Sequence, residues 1–164
     1  MEEIYSKYLG SFEAKFEEEI RSERIGEYHC FDTLKTLDEA LSEEGTSLPR
    51  RRSLVSHMAE VLSTYVESRL SHEAKKLYDR WHGEGRIDGD SFGTIREELL
   101  LFDACYKSVY EEMERFNHIH GDQLIEAEKL QRVREDLIRF EQLVQTYIRL
   151  LELQVASGTD EEGA

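Results

Sequence analysis

The chain has 164 residues, 36 of them acidic against 21 basic, for a formal charge of -15. A chain of this length can bury a core as one domain without a metal or disulfide staple. The negative charge repels nucleic acid at long range, which disfavours a generic nucleic-acid binder.

In chain order, Ile4, Tyr8, Phe12, Phe16 and Ile20 stand at strict four-residue spacing, which predicts a first helix over residues 2 to about 24 despite Gly10. Gly26 interrupts it. A shorter second helix is expected from Asp32, a candidate N-cap, through Leu34, Leu37 and Leu41 to Gly45. The single proline, Pro49, suits the first turn of a third helix over about 50–81. Its apolar seam reads Leu54, Met58, Val61 and Tyr65, then Leu70, Ala74, Leu77 and Trp81. The five-residue step across Ser68 and Arg69 predicts a change of partner or a bend.

The segment from His82 to Ser91 is the densest in glycine and reads as the main loop. Thr94 and Glu97 have capping-box spacing and predict the start of a fourth helix, over about 94–120. Its seam alternates steps of three and four through Phe92, Ile95, Leu99, Phe102, Tyr106, Val109, Met113, Phe116 and His120. Gly121 breaks the rhythm, Asp122 can cap, and a fifth helix is expected over about 122–155 on Leu130, Val133, Leu137, Phe140, Val144, Tyr147 and Leu151. The remaining residues, 156–164, read as a flexible acidic tail.

These expectations describe an all-α fold, an elongated antiparallel bundle of three long helices with two shorter N-terminal helices packed on it, forming a single helical domain over 1–155. The fifth helix also carries Leu124, Ile125, Ile138, Leu143, Ile148, Leu150 and Leu153 outside its seam, more apolar surface than one groove covers. Either the N-terminal helices or a second copy of the chain must cover it.

Cys30 and Cys105 form no C-x-x-C pair and read as buried free thiols. No stretch approaches the ~20 apolar residues of a membrane span. The opening Met-Glu-Glu lacks the basic and apolar regions of a secretory signal, so a cytoplasmic protein without a membrane partner is expected.

Cofactor chemistry finds little support. A di-iron bundle requires two Glu-x-x-His motifs, and the chain has none; His-Glu-x-x-His, P-loop and nucleophile-elbow motifs are also missing. An EF-hand register on Gly85 and Ile87 puts Arg80 first and Ser91 twelfth, where calcium needs carboxylates. Glu114, His118 and Asp122 share a four-residue spacing that one helical face could present to a divalent ion, unless Gly121 ends the helix first. Tyr65, Tyr78, Tyr106, Tyr110, Tyr147 and Trp81 read as an aromatic core with polar tips. Neither a metal nor a cofactor is expected.

The segment Arg115-Phe-Asn-His-Ile-His120 has Arg-x4-His spacing, and with Asp136-Leu-Ile-Arg-Phe140 it resembles the HEPN family of small helical ribonucleases and antitoxin partners over residues 113 to about 148. That resemblance implies metal-independent RNA cleavage in a dimer cleft, with Arg115 positioning phosphate and His120 assisting proton transfer. Read from periodicity alone, His120 belongs to the core seam, about 140° around a continuous helix from Arg115.

A second stretch, Tyr65-Val-Glu-Ser-Arg69, Lys75-Lys76 and Glu97-Glu98-Leu-Leu-Leu-Phe102-Asp103, is similar to the helical domain of archaeal GINS replication subunits over about 50–120. It implies a scaffold role at a replication fork.

Arg50, Arg51 and Arg52 form the densest positive patch in the chain. They fall in the first turn of the third helix, where the helix dipole disfavours cations. An acidic group should compensate, either internal (Glu17, Glu18 and Glu19, or the tail's Asp160, Glu161 and Glu162) or on a partner. The resulting expectation is a non-enzymatic helical interaction or scaffold module, oligomeric or part of a complex. Its contacts would be the three arginines and self-association through helix 122–155.

Overall fold

The computed structural model describes residues 2–22, 30–83 and 88–163, with side chains over 5–22, 30–83 and 88–156. Five helices follow in order: α1 (Glu2–Arg21), α2 (Asp32–Glu43), α3 (Leu48–Gly83), α4 (Gly89–Ile119) and α5 (Ala127–Gly163). No strand occurs among the described residues. The side chain of Ile4, the break at Gly26, Gly85 with Ile87, and the side chains of the C-terminal acidic residues lie outside those described.

α3, α4 and α5 contact one another, while α1 and α2 pack on each other and on α3. Cross-helix pairs give the directions. Ser63 of α3 meets Tyr106 of α4 at 2.9 Å, and Tyr106 meets Phe140 of α5. Along α3 and α5 the partners rise together, from Glu60 with Arg132 through Tyr78 with Tyr147 to His82 with Gln154, so those two helices are parallel and α4 runs against both. This is the expected all-α bundle.

Burial explains the lengths. α3 is the central element and has two apolar faces, with Leu54, Val55, Met58, Ala59, Leu62, Val66, Leu70 and Ala74 all buried. Val66 fills the five-residue gap read from the sequence, so Leu62, Val66, Leu70 and Ala74 form one unbroken four-residue row through the continuous helix. Tyr65 lies off that row and faces α1, where Phe12 and Phe16 meet its ring edge-on with centroids 6.2 and 6.0 Å away. Both phenylalanines are fully buried.

The helix ends depart from the sequence reading for local reasons. α4 begins at Gly89, a turn before Thr94, because the Asp88 carboxylate accepts the Ser91 N–H at 2.7 Å and is the effective N-cap. At α2 the cap position is Phe31, with no side-chain cap bond, and Asp32 is the first helical residue. α4 closes in a Schellman arrangement, Gly121 N–H to His118 O and Asp122 N–H to Asn117 O, with Gly121 at φ +67°. Asp122 itself takes φ +59°, so it cannot cap α5, which starts at Ala127. α5 then continues to Gly163 through the segment read as a tail.

Candidate functional site

α5 packs Val133, Leu137, Phe140, Val144, Ile148 and Leu151 inward. Of the surplus apolar residues read from the sequence, Leu124 and Ile125 lie before α5 in the α4–α5 connection and are buried, as is Ile148, and Leu143 is half-buried, whereas Ile138 (45% exposed), Leu150 (44%) and Leu153 (60%) remain exposed on α5. Ile138, Gln142, Gln145, Arg149 and Leu153 succeed one another at steps of three and four, so they share the outer face of the helix. One charge in five positions is sparse for a chain that is 35% charged. Ile138, Gln142, Gln145 and Arg149, with Glu141 and Thr146, line a shallow depression on that face. α1 and α2 pack elsewhere, on α3, and leave this face uncovered.

The three arginines have separate environments. Arg51 forks onto Asp38 of α2 at 2.8 and 3.0 Å, and Asp38 is buried, so its compensation is internal and comes from neither acidic run considered from the sequence. Arg50 is exposed. Arg52 borders a groove with Leu48, Pro49, Gln123 and Glu126, and its Nε is buried without a hydrogen-bond partner.

Arg115 and His120 engage different neighbours at the end of α4. Arg115 is 66% exposed and pairs with Glu112 at 2.9 Å. His120 is the C-cap residue, half-buried, its ring centroid 4.7 Å from that of Phe116. The buried end of the seam is Asn117, not Phe116 or His120. His118 Nδ1 stands 3.9 Å from the Asp122 carboxylate, while burial, and then the hydrogen bond that the Tyr110 hydroxyl donates to Glu114, raise the Tyr110 pKa. No group of three or more His, Cys, Asp or Glu that could hold a metal occurs among the described residues.

Periodicity missed the polar residues that order the bundle. Ser56, fully buried on α3, donates to Leu124 O at 3.1 Å and accepts the Glu126 N–H at 2.7 Å. Asn117 Oδ1 accepts the Ile125 N–H at 2.8 Å. Together they fasten the α4–α5 connection to both neighbouring helices. Arg69 spans from α3 to Glu17 of α1 at 2.6 Å and to Glu73 at 2.5 Å, and the Tyr65 hydroxyl donates to the same Glu17 at 2.9 Å. Arg69 holds the Glu17 carboxyl below its ordinary range, and burial beside Glu17 pushes the Tyr65 phenol up to about 12. Only the polar residues' positions inside apolar runs could have signalled them.

Cys30 and Cys105 are buried free thiols, and burial raises the Cys30 pKa far above that of a reactive thiolate. No helix among the described residues is long and apolar enough to cross a membrane. No protein-family model, curated protein or solved structure matches this chain.

Proposed function

We propose that the protein is a non-enzymatic helical interaction or scaffold module that uses the outer face of α5 as its main contact. The observation that carries this reading is the row Ile138, Gln142, Gln145, Arg149 and Leu153, in which two exposed aliphatic residues flank two amides and one arginine on a long helix. A helical face of this kind offers an apolar anchor at each end and adaptable hydrogen bonding between, and docks against another helix. Arg50, Arg51 and Arg52 add positive charge in the first turns of α3, where Arg51 also pairs with Asp38. A cytoplasmic setting is part of the proposal and is supported by two thiols buried without a disulfide.

The test is sedimentation of the full chain beside Ile138→Glu/Leu153→Glu, a variant whose substitutions fall on exposed positions and leave the core intact. An oligomer that becomes monomeric in the variant supports the reading. A wild-type protein that stays monomeric to high concentration, and captures the same proteins from lysate as the variant, defeats it.

A further inference from the structure

Opposite charges on the outer face of α5 stand without each other. Arg149 is exposed on the wall of the shallow depression and makes no ion pair among the described residues. Glu141, on the same wall, makes none either. Its charged neighbour is Asp103 of α4, a second carboxylate, whose Oδ1 is buried without a hydrogen-bond partner. Lys107 attracts Asp103 but does not offset burial and the repulsion of Glu141.

Glu141 and Arg149 are eight residues apart on one helix. That is about 12 Å along the axis, whereas side chains of one helix pair at three- or four-residue spacing. Within a single chain they do not meet. Laying a second copy of the helix over the first in the reverse direction brings them together. About a two-fold axis passing between Gln145 and Thr146, Ile138 falls opposite Leu153 of the second copy, Gln142 opposite Arg149, and Gln145 opposite Thr146. Arg149 of the second copy then arrives beside Glu141, the neighbour of Gln142. The row is nearly self-complementary, with an aliphatic anchor at each end facing the anchor of the other copy.

We propose that the outer face of α5 binds a second copy of this chain in antiparallel orientation, with Arg149 of each copy seated on Glu141 and Asp103 of the other. This rests on the reading of that face as the contact surface and names its occupant. Parallel pairing in register would set Arg149 against Arg149 and Glu141 against Glu141, and like charges juxtaposed across an interface are costly. Antiparallel pairing gives each Asp103–Glu141 pair a second cation besides Lys107. Glu152, exposed three residues beyond Arg149, comes in with it, so each end of the contact holds three carboxylates and two cations. The row is about 23 Å long, a small contact beside the ~800 Å² per partner of a standard interface. The dimer is therefore weak and forms at high concentration.

The experiment is sedimentation velocity of the full chain and its variants up to about 1 mM, the range of weak association. A concentration-dependent dimer is expected. Arg149→Glu and Glu141→Arg should each weaken it at least about tenfold by setting like charges across the contact, and the double variant Glu141→Arg/Arg149→Glu should restore it to within about threefold. Oxidation of cysteine variants reads the orientation, the native thiols being buried. Ile138→Cys mixed with Leu153→Cys should give a disulfide-linked dimer, and neither variant alone should, because identical positions then stand about 23 Å apart and a disulfide needs Cα atoms within about 7 Å. A dimer that Ile138→Glu/Leu153→Glu disperses but that survives Arg149→Glu, or that Ile138→Cys alone cross-links, overturns the antiparallel second copy and leaves α5 as the contact surface. A wild-type chain still monomeric at about 1 mM also overturns it, and lysate capture lost in Ile138→Glu/Leu153→Glu then gives the face to a different protein. A dimer indifferent to Ile138→Glu/Leu153→Glu overturns both readings.

Discussion

Asp103 on α4 and Glu141 on α5 repel each other across the helix interface, and Asp103 Oδ1 is buried there without a hydrogen-bond partner. Burial is the larger cause and Glu141 the smaller, and together they outweigh the attraction of Lys107, so the Asp103 carboxyl titrates above its ordinary range. The folded state therefore holds this proton more tightly than the unfolded chain does. Below the unfolded pKa the site adds no penalty, and as pH rises through the folded pKa stability is lost.

Replacing Asp103 by Asn should accordingly stabilise the protein at pH 7. An unpaired buried acceptor costs on the order of 1 kcal/mol, so the expected gain is a rise of about 2–4 °C in Tm for a chain of this size. Thermal melts at neutral pH and again near pH 3 check it. The advantage should disappear at the lower pH, and a gain that is the same at both would show that ionisation is not its cause.

Glu17 titrates in the opposite sense. Its carboxyl is held low, chiefly by the hydrogen bond from Arg69, so its contribution is present above the unfolded pKa and is lost as pH falls through the folded one. Arg69→Ala removes the link from α3 to both Glu17 and Glu73, and should destabilise by about 1–2 kcal/mol at neutral pH, the pair being partly solvated. Urea denaturation should show the difference from wild type shrinking below about pH 4, where glutamates protonate.

The bundle was legible in the sequence because its main determinant, an apolar residue every three or four positions, is a local pattern that survives without tertiary information. The seams through Ile95, Leu99, Tyr106, Val109 and Met113, and through Val133, Leu137, Phe140 and Val144, are buried as expected. The α3 seam was less legible because a helix packed on two sides has no single stripe, and Val66 was passed over for Tyr65. Helix starts were misplaced where two residues competed as caps, Asp88 against Thr94, and where Asp122 adopted a left-handed conformation that its identity alone does not require. Pairings such as Arg51 with Asp38 join residues of different helices, and charge runs carry no information about which partner the fold will supply.

Ser56 tests whether the α4–α5 connection is held by its buried hydrogen bonds. Ser56→Ala strips the bonds to Leu124 O and Glu126 N–H at once, and should cost about 1–3 kcal/mol, the range for leaving buried backbone groups unpaired. Asn117→Ala frees the Ile125 N–H in the same connection. Since both residues order one short segment, the double variant should lose less than the sum of the single losses, measured as a double-mutant cycle by urea denaturation.

Gly10 and Gly121 both have open space where a Cβ would stand, so steric contact predicts the same result for alanine at each. Backbone conformation predicts opposite results. Gly10 lies inside α1 with ordinary helical φ, where glycine is worse than alanine by about 0.5–1 kcal/mol through the entropy of the unfolded chain, so Gly10→Ala should stabilise by that amount. Gly121 has φ +67° at the Schellman turn, which an L-residue with a Cβ adopts at a penalty of about 1–2 kcal/mol, so Gly121→Ala should destabilise despite removing no contact. Chemical denaturation of the two variants decides the matter. Equal effects would mean that the turn after α4 relaxes out of the left-handed conformation when a side chain is added, and the bonds from Gly121 and Asp122 back to His118 and Asn117 would then be expected to lose their hydrogen-exchange protection.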